Sequence, residues 1–192
     1  MRALAKNIED NLPHVCLDCW SPNFNIARDP LWDRILETTG EDPFLTGVFG
    51  GEYTKGLQRN EDIDSGYLQA IATLKHYAGC SLESYGDTSR HNFNAIVSNY
   101  DAATTFFPAW IRSVKLCQAK SVMCSYNEFN GVPSCGSKYL LNDVLREVWG
   151  FGGYVSSDYG AVEDIYANNR HSFVPTGEES WPSKLLAMLI PA

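Results

Sequence analysis

The sequence predicts an α/β domain. Three observations carry that prediction: apolar strands at 71–77, 121–126 and 153–158, helical spacing in the stretches between them, and reactive polar side chains where each strand ends. Strands that alternate with helices pair in parallel through right-handed crossovers, since a right-twisted strand followed by a helix packs back onto its sheet only in that sense. Gly and Pro punctuate the whole chain and no internal repeat occurs, so one domain without a linker is expected.

In chain order, the residues up to about Leu12 read as a short helix closed by Pro13. From Trp20 to Gly51 the text is loop-like, because Ser21-Pro22-Asn23, Asp29-Pro30, Thr39-Gly40 and Asp42-Pro43 each favour a turn. An aperiodic stretch of that length is usually functional. Residues 71–77 form a strand, 100–117 a helix interrupted or kinked at Pro108, and 121–126 the next strand. Ser137 then caps a helix whose apolar residues Leu140, Leu141, Val144, Leu145 and Val148 recur at helical spacing. Gly150 stands where a left-handed residue would end that helix, and 153–158 is the third strand.

Fifteen basic against 23 acidic side chains in 192 residues leave a formal charge of -8. A nucleic-acid partner is therefore not expected, because phosphate binding needs an excess of Lys and Arg. The 44% hydrophobic and 20% charged content is that of a chain able to bury a core. Leu185 to Ile190, the longest apolar run near the carboxyl end, is far too short to cross a bilayer, so no membrane partner is expected either. Acidic residues at the amino end interrupt any apolar export signal. Cys16, Cys19, Cys80, Cys117, Cys124 and Cys135 are even in number without proving a disulfide framework, and Cys16 with Cys19 lacks the second pair that a zinc site needs.

The strand ends carry Lys75 and His76, then Tyr126 and Asn127, then Asp158 and Tyr159. In parallel α/β folds ligands lie beyond the carboxyl ends of the strands, so these residues are expected to share one site. A single polar strand end means little; three in succession mean more. No glycine-rich phosphate loop follows a strand, which argues against a nucleotide, and no G-x-S-x-G elbow supports a serine nucleophile. A strand-end lysine also suits an imine-forming aldolase, but the polar setting beside His76 favours a charged Lys75 that bonds hydroxyls. His14, His91 and His171 read as solvated.

Four blocks go further: Trp20 to Pro43 with its Ala27-Arg-Asp-Pro-Leu-Trp-Asp-Arg34, Leu74-Lys-His-Tyr-Ala-Gly79, Ser121-Val-Met-Cys-Ser-Tyr-Asn-Glu128 running on to Cys135, and Gly150 to Ala161 around Ser157-Asp158. In order and spacing they resemble the amino-terminal barrel domain of glycoside hydrolase family 3, above all that of its secreted β-xylosidases. The implied fold is an incomplete (β/α)8 TIM barrel, as 192 residues fall short of the roughly 250 of a complete one. Residues 1–170 would be the partial barrel domain and 171–192 a divergent tail.

The resemblance implies a retaining exo-β-glycosidase, most of all a β-1,4-xylosidase of xylan catabolism, with Asp158 as the catalytic nucleophile. Arg34, Lys75, His76, Arg90 and Tyr126 would line the pocket for the terminal sugar, where charged donors suit its hydroxyls. Trp20 would offer the ring an apolar face, or else be a core aromatic. The implied partner is an oligosaccharide, with no metal or organic cofactor, in an extracellular setting where Cys124 and Cys135 would close a disulfide. Action on glucosides or arabinosides, and a truncated fragment that only binds sugar, remain open.

Two positions depart from the family pattern: Leu31 replaces an arginine and Asp33 a glycine. The new carboxylate is expected to pair with Arg34 and weaken its hold on substrate. By the resemblance, the family's first barrel strands and the second domain that supplies its general acid/base glutamate are expected to fall outside this chain. Without that donor, a loss of roughly 10²–10⁴-fold is expected for ordinary leaving groups, leaving this chain a weak enzyme.

Overall fold

The computed structural model describes residues 17–59 and 67–165. The expected amino-terminal helix, His14, Cys16, His171 and the tail 171–192 lie outside them. The strands are β1 (Asp18–Cys19), β2 (Ile71–Tyr77), β3 (Ser84–Tyr85), β4 (Thr88–Ser89), β5 (Asn94–Ala95), β6 (Ser121–Cys124), β7 (Glu128–Phe129), β8 (Val132–Pro133) and β9 (Tyr154–Ser157). The main sheet has the order β1-β2-β6-β9, every neighbouring pair parallel. It is covered by helices α1 (Pro43–Gln58), α2 (Pro108–Lys115) and the π-wound α3 (Tyr139–Val148), and α4 (Ala161–Asp164) follows β9. Parallel strands joined by helical crossovers are the α/β architecture of an incomplete barrel, as expected.

The buried runs follow from this layering. β6 is buried along its whole length, as a parallel strand with both faces covered must be. Under it, Tyr77 packs edge-on to Trp110 and Trp149 with centroids 5.0 and 5.8 Å apart, and Phe107 meets Trp149 at 5.2 Å. Aromatic edges against faces suit the ring quadrupole. Helix α1 reaches this core through glycines: a Cβ on Gly50 would stand 1.7 Å from Cε1 of Phe24.

The loop expected up to Gly51 ends at Asp42 instead. Asp42 and Pro43 are not a turn but the start of α1: Asp42 Oδ1 accepts from the backbone N–H of Phe44 at 2.7 Å and of Leu45 at 3.2 Å, with Pro43 at the first helical position. Both features satisfy or dispense with otherwise orphaned donors. The helix expected over 100–117 is broken as anticipated, running as Asn99–Asp101, a π-wound turn Ala102–Phe106, and α2 from Pro108. Ser137 caps α3 by accepting from the N–H of Leu140 at 3.2 Å, and Gly150 ends it at φ 74°. Cys124 and Cys135 are bridged by a disulfide.

Candidate active site

The carboxyl ends of β2, β6 and β9 converge as the strand pattern requires. Segment 22–25 runs beside the end of β2, with Phe24 N–H donating to Lys75 O at 2.6 Å and Lys75 N–H to Pro22 O at 3.1 Å. Asn25 is thereby locked to His76: its amide donates to His76 O at 2.8 Å, and its Oδ1 accepts from His76 N–H at 3.1 Å. The same Oδ1 lies 2.8 Å from His76 Nδ1, while Arg34 Nη2 approaches His76 Nε2 at 3.2 Å. A guanidinium can only donate, so Nε2 is the acceptor and the ring carries its proton on Nδ1. Burial, then the positive charges of Arg34 and Lys75, push the His76 pKa down to about 3, so the ring is neutral.

Asp158 follows β9, its N–H bonded to Cys124 O at 3.2 Å. Its Oδ1 accepts from the N–H of Tyr159 at 2.8 Å. Oδ2 is buried, accepts no hydrogen bond among the described residues, and lies 3.5 Å from His76 Nε2. Tyr126 donates its hydroxyl to Tyr159 O at 2.7 Å. Its phenol is pushed up to about 12 by burial and then by the charge of Asp158, against the opposing Arg90.

The cations are held by two glutamates that the sequence did not single out. Glu37 takes Arg34 in a bidentate pair, Nε–Oε1 and Nη2–Oε2 both at 2.9 Å, and lies 3.4 Å from Lys75 Nζ through Oε2. Glu83 joins the two arginines, with Oε1 3.3 Å from Arg34 Nη1 and Oε2 3.4 Å from Arg90 Nη1. Arg90 N–H donates to Glu83 O at 2.7 Å, closing the β3–β4 hairpin that carries both. Arg90 lies 4.7 Å above the Tyr126 ring. The hydrogen bonds to Arg34 hold the Glu37 carboxyl down at about 2, and the same contacts raise the guanidinium further above its already high value.

Residues 5–178 match the family description "Glycosyl hydrolase family 3 N terminal domain". The chain belongs to glycosyl hydrolase family 3. Among its relatives is "Beta-xylosidase/alpha-L-arabinofuranosidase 2" of Medicago sativa subsp. varia, 40% identical over 173 residues that make up 90% of this chain and 22% of that protein. A "Probable exo-1,4-beta-xylosidase" of Aspergillus terreus is 41% identical, over 87% of this chain and 22% of its own length. The structure superposes on a family 3 exo-β-xylosidase bound to a xylobiose aziridine probe, with TM-score 0.76 and 42% identity over 82% of this chain and 20% of that one. A β-glucosidase from Listeria innocua gives 0.70 and 30% identity over 81% of this chain and 21% of its own. The chain thus spans about a fifth of the length of these family 3 proteins.

Of the expected site residues of this family 3 domain, Arg34, Lys75, His76, Arg90, Tyr126 and Asp158 form one connected cluster. Trp20 is 46% exposed, which removes the core alternative, and among the described residues it makes no hydrogen bond or ring contact with the cluster. Asp33 does not pair with Arg34. It points to the exposed side of the loop, and Glu37 and Glu83 take the guanidinium instead. Nor is His91 simply solvated: Nδ1 lies 2.6 Å from Oδ2 of buried Asp164, and its ring meets that of Tyr126 at 4.5 Å. Asn127 is a scaffold residue, its amide donating to Ala78 O and Glu128 O. Only Glu37, one helical turn beyond Arg34, had a spacing signal; Asn25, Glu83 and Asp164 reach the site through long-range contacts.

Proposed function

We propose that this domain carries the sugar-binding half and the nucleophile of a retaining exo-β-xylosidase acting on xylo-oligosaccharides. The observation that carries this reading is Asp158 Oδ2, a buried carboxylate oxygen without a donor among the described residues, at the strand-end cluster of Lys75, His76, Arg34, Arg90 and Tyr126. Oδ2 attacks the anomeric carbon as the C1–O bond breaks, and the leaving group departs with its electron pair; water then attacks C1 as the C1–Oδ2 bond breaks, gives up its proton to solvent and leaves the carboxylate free, with net retention. Arg34, Lys75 and Arg90 donate to the hydroxyls of the terminal sugar, and Trp20 offers an apolar face at the entrance. Departure of an ordinary alkoxide leaving group needs a general acid in addition. The Cys124–Cys135 bridge supports an oxidising, extracellular setting.

The test uses a 2-fluoro xyloside with a dinitrophenolate leaving group, which departs without a proton. The expected result is stoichiometric labelling, mapped to Asp158 in the wild-type chain and absent from Asp158→Asn. A folded wild-type chain that stays unlabelled, or a label elsewhere, refutes the assignment. The Medicago relative's name also includes an arabinofuranosidase, so an arabinofuranosyl probe run alongside decides which glycone the site prefers.

A further inference from the structure

Two residues that the proposed reaction leaves unused repeat an arrangement already seen in the cluster. Arg34 reaches His76 Nε2, and His76 Nδ1 faces Asn25 Oδ1. Across Glu83, Arg90 Nε donates to His91 Nε2 at 3.4 Å, and His91 Nδ1 lies 2.6 Å from Asp164 Oδ2. Each arginine of the Glu83 pair therefore meets a histidine Nε2 whose opposite nitrogen is tied to a side-chain oxygen.

We propose that His91 and Asp164 are positioning residues for Arg90, the counterpart of His76 and Asn25 for Arg34. Both ends of His91 demand the same tautomer. Arginine only donates, so Nε2 must be bare, and a carboxylate only accepts, so Nδ1 must carry the proton. Asp164 is fully buried at the end of α4, the helix that follows Asp158, so the aim of Arg90 is coupled to the loop that carries the proposed nucleophile. His91 also packs edge-on to Tyr126, and the Arg90 guanidinium lies 4.7 Å above the same ring. The pair therefore sets Arg90 and Tyr126 together. It rests on the glycosidase reading only for what Arg90 is aimed at.

The experiment is nitrogen NMR on the full chain, combined with inactivation by the 2-fluoro xyloside. In the wild type, His91 should show a protonated Nδ1 and a bare Nε2, and the Arg90 Nε–H should exchange slowly. His91→Phe keeps a ring against Tyr126 but removes the acceptor: Arg90 Nε–H exchange should quicken about tenfold, and inactivation efficiency should fall roughly ten- to a hundredfold, mainly through weaker probe binding. His91→Gln, which restores an acceptor oxygen, should recover most of both. Asp164→Leu should mix the His91 tautomers, and serves if His91→Phe does not fold. A wild-type His91 protonated on Nε2, or Arg90 exchange unchanged in the folded variants, overturns the proposal whatever the probe does. A wild type that gives the expected spectra but no label sinks the glycosidase reading and leaves the positioning pair standing.

Discussion

Acidification should destabilise this domain through His76. The ring is 2% exposed, and its pKa falls from 6.5 to about 3 because burial and the neighbouring Arg34 and Lys75 oppose a third positive charge. In the unfolded chain the same imidazole titrates near its ordinary value of about 6.5. The unfolded state thus binds the proton that the folded state refuses, so the stability is fully present above that pH and is lost as pH falls toward 3. Between pH 7 and pH 4.5 the linkage amounts to about 2–3 kcal/mol. Urea unfolding at a series of pH values measures it. The control is His76→Gln, which keeps an acceptor for Arg34 but cannot titrate, and whose loss over that interval should be smaller by this amount. Equal pH dependence in the two proteins, or an imidazole signal titrating near 6.5 in the folded wild type, would refute the reasoning.

Two further outcomes follow from packing and covalent structure. Gly50→Ala would place a Cβ 1.7 Å from the Phe24 ring, itself held edge-on against Trp110 at 5.2 Å, and should cost about 3 kcal/mol as overpacking, read as a lowered Tm; an unchanged Tm would show that Phe24 is free to move. In unfolded but unreduced protein, thiol labelling should find Cys80 and Cys117 and spare Cys124 and Cys135, and replacing the bridged pair by alanine should cost about 2–3 kcal/mol.

What the sequence disclosed and what it hid divide along the range of the interaction. Ser137 and Gly150 act through neighbours a few residues away, and both play the roles their types suggest. Asp42-Pro43 was equally local, yet a turn and a helix start use the same two residues, and only the capping hydrogen bonds distinguish them. The cluster around Asp158 was legible because a parallel sheet gathers its strand ends wherever the helices lie. Its carboxylate partners were not. Glu83 meets Arg34 across the fold, and Asp164 meets His91 from a segment far along the chain. Nothing in the residue pattern of either segment encodes those meetings, so His91 read as solvent-facing and Asp33 as the partner of Arg34.

The arrangement of charge bears on the proposed reactive role of Asp158. Three cations, Arg34, Lys75 and Arg90, stand among three carboxylates, Glu37, Glu83 and Asp158, with His76 neutral between them. Had the cations closed on Asp158, its lone pairs would be spent and the carboxylate would be a structural anchor. Instead Glu37 and Glu83 take the guanidinium and ammonium groups, and the nearest ring nitrogen to Asp158 is an acceptor that already serves Arg34. Leaving that buried oxygen without a donor among the described residues costs about 1–3 kcal/mol. Here the surrounding bonds hold the neighbours and leave Oδ2 without a hydrogen bond among the described residues, which is what the proposed attack on an electrophilic carbon requires.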